Sequence, residues 1–104
     1  MVRLPKNRPP TSPGELLNEE FLKPLQITIS DFAERIGVTR ARLSEIIHGH
    51  RRITPDTALR FEKALGTSAA FWLNAQMATD LYEATHEKHP AIDKIKPINL
   101  AKAG

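Results

Sequence analysis

The sequence has 104 residues, 40% hydrophobic and 26% charged, with a formal net charge of +3 and no cysteine. That length suits one small domain, and the missing thiols exclude a disulfide scaffold, thiolate metal sites and cysteine nucleophiles. No apolar run reaches the ~20 residues of a membrane span, and the Met1-Val2-Arg3-Leu4-Pro5 start has no apolar secretory core, so a cytoplasmic address with no membrane partner is expected.

The charge is unevenly distributed. Arg3, Lys6 and Arg8 open the chain, residues 39–52 hold four arginines against Glu45, and Lys94, Lys96 and Lys102 lie near the end. The stretches between them are net acidic. An internal basic segment with basic ends suits a polyanion partner better than a membrane surface.

Residues 1–11 contain Pro5, Pro9 and Pro10 and little that can be buried, which suggests a flexible arm. The folded unit is expected over residues 12–89. Ser12-Pro13-Gly14-Glu15 reads as a helix start, with Ser12 as N-cap, Pro13 where its missing N–H costs nothing, and Glu15 closing a capping box. Leu16, Leu17, Phe21 and Leu22 recur at helical spacing up to Pro24, which should stop the helix. A second helix should run from Ser30 as N-cap through Asp31 to Gly37, with Phe32, Ala33 and Ile36 inward.

Thr39 should cap a third helix that buries Leu43, Ile46 and Ile47 and ends at His48-Gly49. Thr54-Pro55-Asp56 opens a fourth, carrying Ala58, Leu59, Phe61, Ala64 and Leu65 to Gly66. Ser68 opens a fifth, patterned by Phe71, Trp72, Leu73, Met77, Leu81 and Tyr82 and fading before Pro90. Residues 90–104 read as a flexible basic tail. With no strand-length alternation, repeat or heptad series, the expected fold class is all-α, a five-helix domain.

The stretch Ile29 to Ile46 resembles the helix-turn-helix of repressor-like domains. Ala33 lets two helices approach, Gly37 supplies a positive φ in the turn, and Val38, Leu43 and Ile46 lock the crossing. The third helix then presents Ala41, Arg42, Ser44, Glu45 and His48 away from its apolar arc, with Thr39 and Arg40 at the N-terminal tip. Arginine can bond guanine bidentately, glutamate can accept from cytosine N4, and hydroxyls can meet bases or phosphates. Thr39, Arg40, Arg42, Ser44 and Glu45 are therefore the expected base contacts. Ser30, Arg51 and Arg52 are the expected contacts to the DNA backbone.

Over residues 12–82 the sequence resembles the HigA group of antitoxins. Pro13-Gly14-Glu15-Leu16-Leu17 with Glu20-Phe21-Leu22-Lys23-Pro24-Leu25 is similar to its first-helix signature. Gly37-Val38-Thr39, Leu43-Ser44-Glu45-Ile46-Ile47 and Gly49 are similar to its recognition segment. Ile53 to Arg60, Leu65-Gly66-Thr67-Ser68 and Phe71-Trp72-Leu73-Asn74 complete the likeness; Ser12 stands where the family often has histidine. The resemblance implies a homodimeric repressor of its own operon that binds double-stranded operator DNA and neutralises a HigB-like ribonuclease toxin, or a stand-alone regulator without a toxin. It implies no enzyme activity and no cofactor.

Three successive large apolar residues, Phe71-Trp72-Leu73, cover about 200° of a helical wheel, more than one core can bury. Phe71, Trp72 and Met77 are accordingly expected at a dimer interface, the other reading being a half-buried Trp72 against arm or tail. Glu83, His86, Glu87 and His89 lack the His-Glu-x-x-His spacing of a shared ligand face, so no metal is expected. Ser30, Ser44 and Ser68 suit capping or groove contact better than nucleophilic chemistry, and no Gly-x-Ser-x-Gly occurs. The acidic side of the first helix, Glu15, Glu19 and Glu20, is a solvated face that charge alone would also suit to a basic toxin. A bundle whose basic helix has no DNA role is the competing class, and salt dependence separates the two.

Overall fold

The computed structural model describes residues 9–102. Most of the expected arm, residues 1–8, and the tail's residues 103–104 lie outside the described residues. The described elements are α1 (Pro13–Leu17), a π-helical turn (Asn18–Leu22), α2 (Lys23–Leu25), α3 (Ile29–Ile36), α4 (Arg40–Ile47), α5 (Pro55–Leu65), α6 (Ala69–Thr85), α7 (Pro90–Asp93) and a 3₁₀ turn (Leu100–Lys102).

Hydroxyl caps set the starts. Ser12 Oγ accepts from the Glu15 N–H at 3.2 Å, Thr39 from Arg42 at 3.1 Å, Thr54 from Thr57 at 3.3 Å and Ser68 from Phe71 at 3.1 Å. Each such cap satisfies an N–H that the helix cannot, worth about 1 kcal/mol. The second predicted helix starts elsewhere: Thr28, not Ser30, is its N-cap, accepting from the Asp31 N–H at 3.0 Å. Ser30 lies inside α3, because Ile29 packs its half-buried side chain against the core and draws the helix start two residues earlier.

Pro24 does not stop the first helix where expected. The chain stays helical to Leu25 and leaves through Gln26 at φ 57°. Lys23 donates its N–H to the Asn18 carbonyl, so the π-helical turn moves the register back by one residue just before the proline. That wider turn removes the clash between a proline ring and the carbonyl four residues earlier.

One core joins α1, the π-helical turn and α3 to α6. Leu17, Leu22, Phe32, Ala33, Ile36, Leu43, Ile46, Ile53, Ala58, Phe61 and Trp72 are all buried in it. Trp72 is at its centre, 5.0 Å from Phe61 in an edge-on arrangement and 5.5 Å from Phe21. With 0% exposure, and its indole N–H donated to Thr67 Oγ1 at 2.9 Å, Trp72 is unavailable to a dimer partner. The expectation for it is corrected: successive residues turn ~100°, so the core takes Trp72 and leaves Phe71 on the rim.

Leu59 and Ala64, part of the apolar pattern of the fourth helix, are exposed. Thr57 is buried in their stead, one face of α5 being filled by Thr57, Ala58 and Phe61. The expected tail carries two short helical turns, and its Ile92, Ile95, Ile98 and Leu100 are exposed. No helix is long and apolar enough to cross a membrane among the described residues.

Candidate nucleic-acid interface

The unit α3–turn–α4 presents the interface. Gly37 ends α3 at φ 77°, a conformation that costs a side-chain-bearing residue strain, and the Val38 N–H returns to the Ala33 carbonyl at 3.0 Å. Ala33 is 2% exposed. Behind α4, Gly14 of α1 comes so close that a Cβ there would lie 1.9 Å from the Ile46 carbonyl oxygen. The first helix is thus seated directly on the backbone of α4.

A third element closes the turn from α5. Arg60 donates from Nη1 to the Ile36 carbonyl at 2.7 Å and from Nε to Asp56 Oδ2 at 2.8 Å. Ile36 O is one of the carbonyls left without an intrahelical partner at the end of α3. The guanidinium therefore ties α5 to the turn that sets the angle of α4.

On the outward side, Thr39, Arg40, Ala41 and His48 are exposed, while Ser44 and Glu45 are half-buried. Arg40 crosses the turn and donates from Nε to Ser30 Oγ at 3.0 Å, so these two residues, expected in different roles, sit together. Ser30 reaches this position because it is not a cap. His48 donates from Nδ1 to the Ser44 carbonyl at 2.7 Å, closing the last turn of α4. Arg51 and Arg52 follow in the connection to α5, both exposed. Arg51 donates from Nε to Glu45 Oε2 at 3.1 Å, and Arg52 pairs with Asp80 of α6.

Arg42 does not join this face. Its Nη2 donates to Thr57 Oγ1 at 3.2 Å, and its Nε is buried without a hydrogen-bond partner among the described residues. The expectation that Arg42 points outward at base edges is corrected: the guanidinium folds back onto the start of α5. A buried hydroxyl on the next helix provides an acceptor that a wheel of α4 alone cannot reveal.

Gln76 and Asp80, which no motif in the sequence marks, also belong to this region. Gln76, 7% exposed, accepts the Ile53 N–H on Oε1 at 3.0 Å and donates from Nε2 to Asp80 Oδ1 at 2.9 Å. The i, i+4 spacing of Gln76 with Asp80, and of Asp56 with Arg60, was visible in the sequence; their partners across the core were not. On the outer side of α6, Phe71 is 42%, Met77 67% and Leu81 58% exposed.

A helix-turn-helix family model matches residues 19–72. The chain belongs to the helix-turn-helix family that includes the HigA antitoxins. It is 41% identical over 92 residues to an uncharacterised HTH-type transcriptional regulator of Haemophilus influenzae, covering 86% of each protein. It is 38% identical to antitoxin HigA-1 of Vibrio cholerae, covering 88% of this chain and 86% of that one. The solved structure of the Pseudomonas aeruginosa antitoxin HigA with higBA promoter superposes with a TM-score of 0.80 at 32% identity, covering 86% of this chain and 98% of that chain. This family is one of DNA-binding regulators and antitoxins, not of enzymes.

Proposed function

We propose that this protein is a sequence-specific DNA-binding antitoxin that represses its own operon and neutralises a HigB-like ribonuclease toxin in the cytoplasm. The observation that carries the DNA half is the exposed rim of Arg40, Arg51 and Arg52 around the outward face of α4, in a fold shared with a HigA antitoxin bound to promoter DNA. In this reading α4 enters the major groove. Thr39, Arg40, Ser44 and Glu45 meet base edges there, and Ser30, Arg51 and Arg52 meet phosphates. Arg40 and Ser30 act as a pair, the hydroxyl aligning the guanidinium. Arg42 supports α4 from behind.

A homodimer through α6 fits the same reading. Phe71, Met77 and Leu81 leave an apolar stripe on the outer side of that helix, with Met77 and Leu81 one turn apart. A two-fold axis along the stripe would pair two α4 helices for successive major-groove faces about 34 Å apart.

The toxin half rests on the likeness to the HigA antitoxin of Vibrio cholerae, and the acidic side of the first helix, with Glu15, Glu19 and Glu20 exposed, suits a basic partner. The likeness to an HTH-type transcriptional regulator of Haemophilus influenzae supports the stand-alone regulator as the second reading. Co-expression with any small open reading frame found beside its gene separates them. Growth arrest by the neighbour, relief by this protein and co-purification of the two support the antitoxin. A neighbour that neither arrests growth nor co-purifies leaves the regulator.

A further inference from the structure

We propose that Asp80 limits the sequence-independent part of DNA affinity by holding Arg52 in a fixed carboxylate pair. The proposal rests on the reading of Arg52 as a phosphate contact. Arg52 lies in the connection between α4 and α5, and its Nη2 bonds Asp80 Oδ2 at 2.5 Å. The other carboxylate oxygen, Oδ1, accepts from Gln76 Nε2 at 2.9 Å. Gln76 is itself fixed, because its Oε1 takes the N–H of the buried Ile53 at 3.0 Å. Two residues one turn apart on α6 thus bracket the arginine-bearing connection, one through its backbone and one through its charge.

A surface ion pair between mobile side chains contributes little, but here the carboxylate is held in place by the amide of the buried Gln76. Its position has two consequences of the same sign. It competes with a phosphate for the Arg52 guanidinium, and it repels any phosphate that approaches. Both subtract from the counterion-release component of binding, which is blind to base sequence. One phosphate contact contributes a salt slope of about 0.9, equivalent to roughly eightfold in affinity near ~0.1 M salt. Arg51 has a similar partner in Glu45, but Glu45 lies on the face assigned to bases, so its removal would mix two effects. Asp80 is on α6 and off that face.

Asp80→Asn isolates the charge, since the asparagine carbonyl can still accept from Gln76. Binding of a fluorescent random-sequence duplex is titrated over a salt series for the wild type, Asp80→Asn, Arg52→Ala and the double variant. Expected for Asp80→Asn is affinity roughly three- to tenfold higher near ~0.1 M salt and a slope steeper by up to about one. Arg52→Ala should bind more weakly with a shallower slope, and most of the Asp80→Asn gain should vanish when Arg52 is already alanine. Thermal melts accompany each variant, with Asp80→Ser as the substitute if asparagine prevents folding. Asp80→Asn binding as the wild type or more weakly, while Arg52→Ala loses affinity and slope, overturns the proposal and leaves the phosphate role of Arg52 standing. Arg52→Ala indistinguishable from the wild type overturns that role and the proposal with it.

Discussion

The Arg60 Nη1 donates to the carbonyl of Ile36 at 2.7 Å, across 24 residues of sequence, at the end of the helix that precedes the turn. Gly37 leaves room for it: a Cβ there would stand 3.0 Å from the same nitrogen. The angle of α4 is thereby set from α5 as well as by the packing of Ala33. Arg60→Ala is expected to lower stability by about 1 kcal/mol, a charge-assisted bond discounted for its partial exposure, and to weaken DNA binding without changing its salt slope. Denaturant melts and salt-dependent titrations check this, and a lower slope would instead make Arg60 a phosphate contact.

Gly14→Ala tests the seating of α1 on α4. The added methyl would fall 1.9 Å from Ile46 O and 2.6 Å from the Ile47 Cα, backbone atoms that no rotamer change can clear. Helix propensity alone would favour alanine by roughly 1 kcal/mol. The expected outcome is nevertheless a loss of about 1–3 kcal/mol in urea denaturation, because α1 must lift from α4. Equal or greater stability would mean that the close approach does not exist.

The two roles of α6 separate by substitution. Trp72→Ala should cost about 3–5 kcal/mol and prevent cooperative melting at ordinary temperature, since the indole fills the centre of the core. Met77→Asp with Leu81→Asp should leave the protomer folded and abolish dimerisation in sedimentation experiments, as both side chains are solvent-facing. A dimer that survives the double aspartate variant places the interface elsewhere.

Gln76→Leu keeps the size of a buried side chain but leaves the Ile53 N–H without its acceptor. Stability should fall by about 1–3 kcal/mol. The connection that holds Arg51 and Arg52 should also lose order, seen as faster amide hydrogen exchange at Ile53 and its neighbours.

Local chemistry was legible in the sequence and cross-core chemistry was not. Ser12, Thr39, Thr54 and Ser68 were readable as caps because each bonds an N–H three residues on. Gly37 was readable as a left-handed helix end because it has no Cβ to be strained there, and Gly66 ends α5 in the same way at φ 83°. Thr28 and Ser30 are both good caps two residues apart, and the choice between them was made by Ile29, whose burial depends on the whole fold. The outward direction of Arg40 follows from its helix alone. Arg42 turns inward because Thr57, 15 residues away, offers an oxygen. Trp72 was misplaced because a wheel shows how much apolar surface a helix has but not which part the core selects.

Reading of DNA by α4 through Arg40 is tested most directly by selection and titration. Sequences are selected from a random duplex library, and the enriched duplex is titrated with the wild type and Arg40→Ala across a salt series. The expected result is a two-fold-symmetric enriched sequence and affinity falling by orders of magnitude from ~50 to ~200 mM salt. Arg40→Ala should lose about 1–3 kcal/mol and blur one base preference. No enriched sequence, or salt-insensitive binding that Arg40→Ala leaves unchanged, would contradict it.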